Sequence, residues 1–304
     1  MKARRQAPTP RLRSGAVWAG LAQCTAAIWS GLSSATPPGT AGGPQVRYAS
    51  MLQAQAAVDD HGRHGWRLVT DVELPNGIRG IAFFDTQSGT RAGEDLGCES
   101  LGLGITQSLL AAQRFGAQLS RSHCAAGLNL RDATLTADLG WSDWSSQLSL
   151  RHRTLDLSGA ATAERVRTEA AGWGLALSYL GDDDSSATLR VQDDRYSKPA
   201  LDRAQSSAPG LFEALSAPSV LGISQSIERL GYGLDFVTAE GPHQYGFTWW
   251  HSEGAAVDRD ADTLRLFHYR PLSPGLGLDA SVGAQWGAVG GVRFFTAWGL
   301  SLFW

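Results

Sequence analysis

Lysine, surplus positive charge and long apolar runs are all scarce in this chain of 304 residues. Lysine occurs only at Lys2 and Lys198, and the formal net charge at pH 7 is -3. A nucleic-acid-binding domain needs a basic surface, so no nucleic-acid partner is expected. Charged residues make up only 18% of the chain, which excludes a disordered polyion.

One mostly apolar stretch lies near the N-terminus, at residues 16–29. Basic residues precede it, and small residues follow it at 33–35. This order predicts a secretory signal peptide in residues 1–35 and a mature domain in residues 36–304. No run of 18 apolar residues follows, so no transmembrane helix is expected in the mature domain.

Cysteine is rare, with three residues in the whole chain. Removal of the predicted signal peptide takes away Cys24 and leaves Cys98 and Cys124. Two cysteines in an exported protein are compatible with one disulfide bond, and two separate free thiols are the alternative.

What the mature domain does contain is a recurrent alternation of apolar residues with small or polar ones. At the C-terminus, Trp298, Leu300, Leu302 and Trp304 alternate with Ala297, Gly299 and Ser301, and segments 133–141, 173–179, 230–236 and 276–286 repeat the pattern. Period two is typical of β-strands with two different faces. The chain also has 11 Trp, several near the predicted strand ends. Membrane barrels combine an outward apolar band, aromatic girdles and a polar interior.

Turn residues divide the mature domain into strands that predict an all-β fold, an antiparallel up-and-down transmembrane β-barrel of about 14 strands. The first strand has the weakest pattern, so 12 strands are the alternative. The predicted strands are 46–57, 66–74, 78–85, 100–110, 114–121, 133–141, 144–157, 166–180, 186–197, 230–240, 243–253, 262–271, 276–286 and 291–304. Short turns at 75–77, 142–143, 182–185, 241–242 and 271–275 fall on one rim, and longer connections at 86–99, 158–165, 198–229 and 254–261 on the other.

The last residues carry a resemblance to a known class of proteins. Gly299 is followed by Leu302 three positions later and by the terminal Trp304. This ending resembles the C-terminal signal of Gram-negative outer-membrane β-barrels of the porin-like class, although Ala297 stands where that signal usually has a polar residue. The resemblance implies location in the outer membrane of a Gram-negative bacterium, contact with its lipids, and recognition of these residues by the barrel-assembly machinery.

Projection of the non-apolar face of each strand gives the expected interior of the barrel. Its charged members, which are the candidate lumen-lining and selectivity residues, are Arg67, Asp71, Glu73, Asp138, Arg151, Arg153, Arg190, Asp235, Asp279 and Arg293. Buried charges must either pair or contact water. Because glycines such as Gly231, Gly233 and Gly277 lie between them and 14 strands enclose more space than eight, a water-filled lumen is expected.

Candidate catalytic and metal residues are few. His251 precedes Ser252 directly, so on a strand the two side chains point to opposite faces and cannot share a proton. The aspartates of 258–262 lack the glycine and glutamate of a calcium loop, and His123 beside Cys124 lacks further ligands at zinc spacing. We expect no catalytic residue, metal or cofactor.

These features favour a passive, water-filled channel for ions or small polar solutes. A lipid-modifying outer-membrane enzyme, which needs a His/Ser or His/Asp pair on the lipid face, is one alternative. A structural or secretion barrel without transport is the other.

Overall fold

The structure is a computed structural model that describes residues 50–304 except 61, 92–93, 96, 111, 158–165, 182–183, 198–201, 203–226, 256–259 and 288–290. The predicted signal peptide therefore lies outside the described residues, as does most of segment 198–229. No described helix is both long and apolar enough to cross a bilayer.

Fourteen antiparallel strands form one closed barrel, in which each strand pairs with its neighbours in the chain and the last pairs with the first. They are β1 (Ser50–Asp59), β2 (His64–Leu74), β3 (Ile78–Ser88), β4 (Cys98–Leu110), β5 (Gln113–Cys124), β6 (Leu128–Trp141), β7 (Trp144–Leu157), β8 (Val166–Leu180), β9 (Ser186–Tyr196), β10 (Glu228–Glu240), β11 (His243–Gly254), β12 (Asp260–Ser273), β13 (Leu276–Trp286) and β14 (Arg293–Phe303). The prediction of an all-β up-and-down barrel with 14 strands is confirmed, and the alternative of 12 strands is wrong.

Two short 3₁₀ turns, Pro75–Gly77 and Ala125–Gly127, follow β2 and β5. A two-stranded hairpin of Thr90–Arg91 and Glu94–Asp95 lies in the connection between β3 and β4. The chain closes the barrel through backbone hydrogen bonds in both directions between Ser50 and Trp304, of 3.0 and 3.2 Å. We call the rim that carries Ser50 and Trp304 the terminal rim, and the opposite rim the distal rim.

The outward face of the barrel is apolar. Alternate side chains along each strand are exposed and mostly Leu, Ile, Val or aromatic, including Leu103, Leu119, Leu135 and Leu189 at 60% exposure or more. Trp141 and Trp144 are among the exposed rings at the terminal rim. This band and its rings are the features that let a barrel contact lipid.

The inward face is polar but is more filled than the glycines predict. Phe83 lies over Gly102, Trp250 over Gly231 and Gly233, Tyr269 over Gly277, Phe295 over Gly283, and Asp279 beside Gly299, each in the space that a glycine Cβ would occupy. The expectation that glycines between the charges leave room for water is wrong at Gly231, Gly233 and Gly277. A glycine in a strand allows a ring on the next strand to lie flat against the backbone.

Near the distal rim, strands β4 to β8 reverse their polarity. A cluster of eight buried residues fills the inside here: Cys98, Cys124, Leu128, Leu130, Leu155, Leu157, Val166 and Ile227. The outward positions carry Glu99, Arg121, His123 and Arg131. Apolar residues inside and charged residues outside are the pattern of a water-exposed wall.

This reversal explains why three strand ends were predicted too short. β4 begins at Cys98, β5 ends at Cys124 and β6 begins at Leu128, whereas the predicted bounds were 100, 121 and 133. The predicted bounds stop where the outward apolar pattern stops, although the hydrogen-bonded ladder continues. Cys98 and Cys124 lie directly opposite each other on β4 and β5 and are joined in a disulfide bond.

Candidate functional site in the barrel interior

Three of the predicted lumen residues lie on β2. Arg67 is buried and forms a bidentate ion pair with Asp85 on β3, with nitrogen to oxygen distances of 2.5 and 3.2 Å. Closer to the terminal rim, Asp71 lies 3.2 Å from Nε of Arg79. Glu73 is on the same face but is exposed at the rim, where its backbone N–H donates to Ser50 Oγ.

A second group of charges lies on β7. The buried Arg153 donates to both carboxylate oxygens of Asp132, at 2.6 and 3.0 Å, and to the hydroxyl of Tyr196 at 3.1 Å. Arg151 is less buried, donates to Gln192 Oε1 at 3.1 Å and lies 3.5 Å from Asp194. Removal of one member of a buried ion pair leaves the charge of the other member uncompensated, which destabilises the folded state. Arg153 therefore contributes mainly to the fold.

A third group joins β9, β10 and β11. Arg190 lies 2.6 Å from a carboxylate oxygen of Asp235, and its guanidinium carbon is 5.3 Å from the centre of the Trp250 ring. The Trp250 indole N–H donates to Glu228, which also accepts from Gln192 at 2.9 Å. An inward Trp therefore orders two charged side chains instead of contacting lipid.

Charges from several strands of the barrel interact around Arg265 on β12. Arg265 interacts electrostatically with Asp279 on β13, with Asp235 on β10 and with Arg67 on β2. Asp279 in turn accepts hydrogen bonds from Gln53 at 3.2 Å and Gln55 at 3.0 Å, both on β1. Residues from five strands thus form a mixed-charge group, which we call the central cluster: Arg67, Arg265, Asp235, Asp279, Gln53 and Gln55.

The two remaining predicted lumen residues also lie outside the central cluster. Asp138 is buried on β6, accepts a hydrogen bond from Gln147 and interacts with Arg114 on β5. Arg293 begins β14 near the distal rim, is 6% exposed and lies opposite Gln285. All ten predicted positions therefore lie on the inward face. The structure brings Arg67, Asp235 and Asp279 together in the central cluster, and Arg190 is joined to it through its ion pair with Asp235.

Several buried polar atoms in the interior have no hydrogen-bond partner within the described part of the chain. They include both carboxylate oxygens of Asp194, Oδ2 of Asp138, Oε1 of Gln147 and Nη1 of Arg67. Buried polar groups are rarely left without partners in folded proteins. A small cavity of about 30 Å³ beside Gln147 is lined by Thr106, Gly116, Thr134 and Thr136, among others, and has space for a single water molecule.

Sequence reasoning missed the partners of these charges: Asp85, Arg114, Asp132, Asp194 and Arg265. Arg265 was detectable, because it alternates with the outward Leu264 and Leu266. Asp85 lies on the same inward face as Phe83. Because aromatic residues are expected on the outward face, Phe83 makes it hard to tell from the sequence which face of β3 points inward. Asp132 lies in the part of β6 that was predicted to be a connection.

Of the two pairs that a lipid-modifying enzyme could use, His251 forms a His/Asp pair on the outward face but no pair with Ser252. His251 lies on the outward face and its Nδ1 is 3.1 Å from Asp262, whereas Ser252 is buried on the inward face and donates to the carbonyl oxygen of Ala261. A base and an orienting carboxylate are present, but this serine is on the opposite face. Among the described residues, no group of three or more His, Cys, Asp or Glu is placed to hold a metal ion.

The residues of the predicted assembly signal lie on β14. Leu302 and Trp304 are outward and about half exposed, and Gly299 is inward beside the Asp279 carboxylate. Gly299 therefore has a second, structural reason to be glycine, because a Cβ would displace Asp279 from its place in the central cluster.

Comparison with known proteins finds no matching family model and no matching curated protein. Solved structures do share the fold. The CymD monoaromatic hydrocarbon channel superposes with a TM-score of 0.54 over 86% of this chain and 90% of its own, at 7% identity. A bacterial polysaccharide outer membrane secretin gives 0.52 over 85% and 99%, at 8% identity. CdiB from Acinetobacter baumannii gives 0.51 over 86% and 61%, at 9% identity. The chain is similar to outer-membrane β-barrels in fold.

Proposed function

We propose that this protein is a passive channel of the outer membrane of a Gram-negative bacterium, which conducts ions or small polar solutes. The observation that carries the proposal is the central cluster, where charges of both signs converge inside a closed 14-strand barrel with an apolar outer face. Charged side chains around a wet passage set ion preference without any catalytic group. The solved relatives in fold include a hydrocarbon channel, which supports a transport role.

The proposed membrane location implies which rim of the barrel faces the periplasm. Short turns face the periplasm and longer connections face the outside in outer-membrane barrels. The terminal rim is then periplasmic and the distal rim is extracellular. Recognition of Gly299, Leu302 and Trp304 by the barrel-assembly machinery and contact of the apolar band with membrane lipids belong to the same proposal.

The test is the conductance of the purified, refolded barrel in planar lipid bilayers. We expect ohmic pores, and we expect Asp279→Asn to raise the chloride preference, because it removes the negative charge beside Arg265 while keeping one acceptor for Gln53 and Gln55. Two unit charges ~4 Å apart in water interact with about 1 kcal/mol, which corresponds to a factor of about five in an equilibrium. The ratio of anion to cation permeability should therefore rise about fivefold. The measurement is the reversal potential across a KCl gradient.

The matched control is Glu253→Gln, which removes a negative charge that is paired with the exposed Arg229 near the distal rim. Its reversal potential should equal that of the unaltered protein. A folded barrel that shows no conductance, both with residues 203–224 and without them, contradicts the channel. Arg151→Glu with Arg153→Glu would be a poorer test of selectivity, because it would place a second carboxylate against the buried Asp132.

A further inference from the structure

Two arginines face outward, side by side, where the apolar band of the barrel ends. Arg121 on β5 and Arg131 on β6 are directly opposite each other in the ladder, and both are exposed. The next outward pair towards the terminal rim is Leu119 with Ala133. Like charges directly opposite each other on one face of a sheet destabilise it, so this pair requires an explanation.

The height of the pair matches the edge of a bilayer. Extended β6 is ~34 Å long between Arg131 and the girdle residue Trp141. At a strand tilt of ~40°, this length spans about 26 Å along the membrane normal. The outward apolar band of such barrels is about 25 Å tall. Both guanidinium groups therefore lie at the level of the extracellular lipid headgroups.

Neither arginine is paired with a described residue. No ion pair or hydrogen bond joins the side chain of Arg121 or Arg131 to any described residue. Asp132 faces inward and is bound by Arg153, and Glu169 is 2.7 Å from Arg167 and 3.7 Å from His152. Glu99 lies on β4 opposite His123, further towards the distal rim.

The surface around the pair is a groove with an apolar side and a basic end. It has a volume of about 390 Å³ and is lined by Leu101, Leu103, Leu119, Arg121, Arg131 and His152, among others. Arginine binds phosphate through paired, charge-assisted hydrogen bonds. An acyl chain against the leucines would place a headgroup phosphate against the two guanidinium groups.

We propose that Arg121 and Arg131 form a binding site for the phosphate of an outer-leaflet lipid whose acyl chains lie against Leu103 and Leu119. The site rests on the membrane location within the proposed function, but it does not depend on conduction through the lumen. A bound phosphate turns an unfavourable pair of like charges into a bridge between β5 and β6.

The test uses the full mature chain refolded in detergent and synthetic diphosphoryl lipid A as the probe, with retained lipid counted by native mass spectrometry. We expect Arg121→Gln with Arg131→Gln to weaken binding at least tenfold. Arg270→Gln is the matched control, because Arg270 is an exposed outward arginine near the terminal rim and its loss should leave binding unchanged. Arg131→Glu should also abolish binding while it supplies Arg121 with a partner, so a folding defect is not expected.

Two further probes identify the source of the phosphate. Lipid A with both phosphates removed should bind at least tenfold more weakly, and equal binding would overturn the proposal in favour of an apolar groove. Inorganic phosphate at millimolar concentration should not displace the lipid, and full displacement would point to a free phosphate site instead. Unchanged binding in both arginine variants would also overturn the proposal. Lipid binding without conductance would contradict the channel alone, whereas conductance without lipid binding would contradict this site alone.

Discussion

Phe83 and Gly102 illustrate how single residues decide the shape of the interior. Phe83 is 4% exposed, and its ring lies across the inward face of β4 in the place of a Gly102 side chain. The guanidinium carbon of Arg67 is 5.9 Å from the centre of the same ring. The glycine therefore supports the ring, and the ring supports one member of the central cluster.

This stacking predicts different effects for two glycines on the same face of the same strand. Gly102→Ala places a Cβ inside the Phe83 ring, and overpacking of this kind costs about 1–3 kcal/mol. Gly104→Ala is the control, because its Cβ would meet its nearest neighbour at an ordinary 3.5 Å, and the change should stay within about 0.5 kcal/mol. Urea unfolding of both refolded variants measures the difference, and equal stabilities would refute the stacking.

Sequence pattern predicts the face of a residue well but its partner poorly. The alternation of side chains along each strand predicts Arg190, Asp235 and Asp279 on the inward face, because their neighbours in the chain are apolar. Which charges meet depends on the register between strands and on distances across the barrel, and a single sequence contains neither. The inward rings of Phe83 and Trp250 add to this difficulty, because they follow the same hydrophobic pattern as lipid-facing residues.

At the scale of elements, the C-terminal half of β14 shows the two faces that its sequence predicts. Trp298, Leu300, Leu302 and Trp304 are all about half exposed on the outward face, and the inward Ala297 and Ser301 are buried. The alternation is regular over residues 297–304, although the inward ring of Phe295 lies earlier in the same strand. Strands β4 to β6 are predicted less well, because their distal ends leave the apolar band.

The last residue of this element is expected to matter for assembly more than for stability. Trp304→Ser removes one exposed ring but keeps its two backbone hydrogen bonds to Ser50, so the finished barrel should lose less than about 1 kcal/mol. The amount of heat-modifiable protein inserted into the membrane in cells should nevertheless fall severalfold. Leu278→Ser, on the outward face of β13, is the control for loss of an apolar contact with lipid. Insertion at the unaltered level by the Trp304 variant would contradict the targeting role.

At the scale of the whole molecule, the interior charges act together as a field across the lumen. The central cluster joins five strands, and further pairs follow at Asp71 with Arg79 and at Arg153 with Asp132. A field of this kind acts over a Debye length, which is about 10 Å at 0.1 M salt and ~3 Å at 1 M.

We therefore expect any ion preference of the pore to weaken as salt increases. The shift caused by Asp279→Asn should be largest at 0.1 M KCl and should shrink severalfold at 1 M, because mobile ions screen the remaining charges. Reversal potentials measured at a fixed concentration ratio but different mean salt give the comparison. A preference that is independent of salt would indicate selection by size rather than by charge.

The polarity reversal of β4 to β8 also determines the outline of the entrance. On these strands the wall continues beyond the level of Arg131, whereas on β13 and β14 the outward Trp286 and Phe294 lie within one residue of the distal strand ends. Among the described strands, the distal edge of the barrel is therefore oblique, high at β4 to β8 and low at β13 and β14. In the proposed channel, a solute that diffuses along the cell surface would meet a lower strand edge at β13 and β14 than at β4 to β8, so its approach to the lumen would be directional.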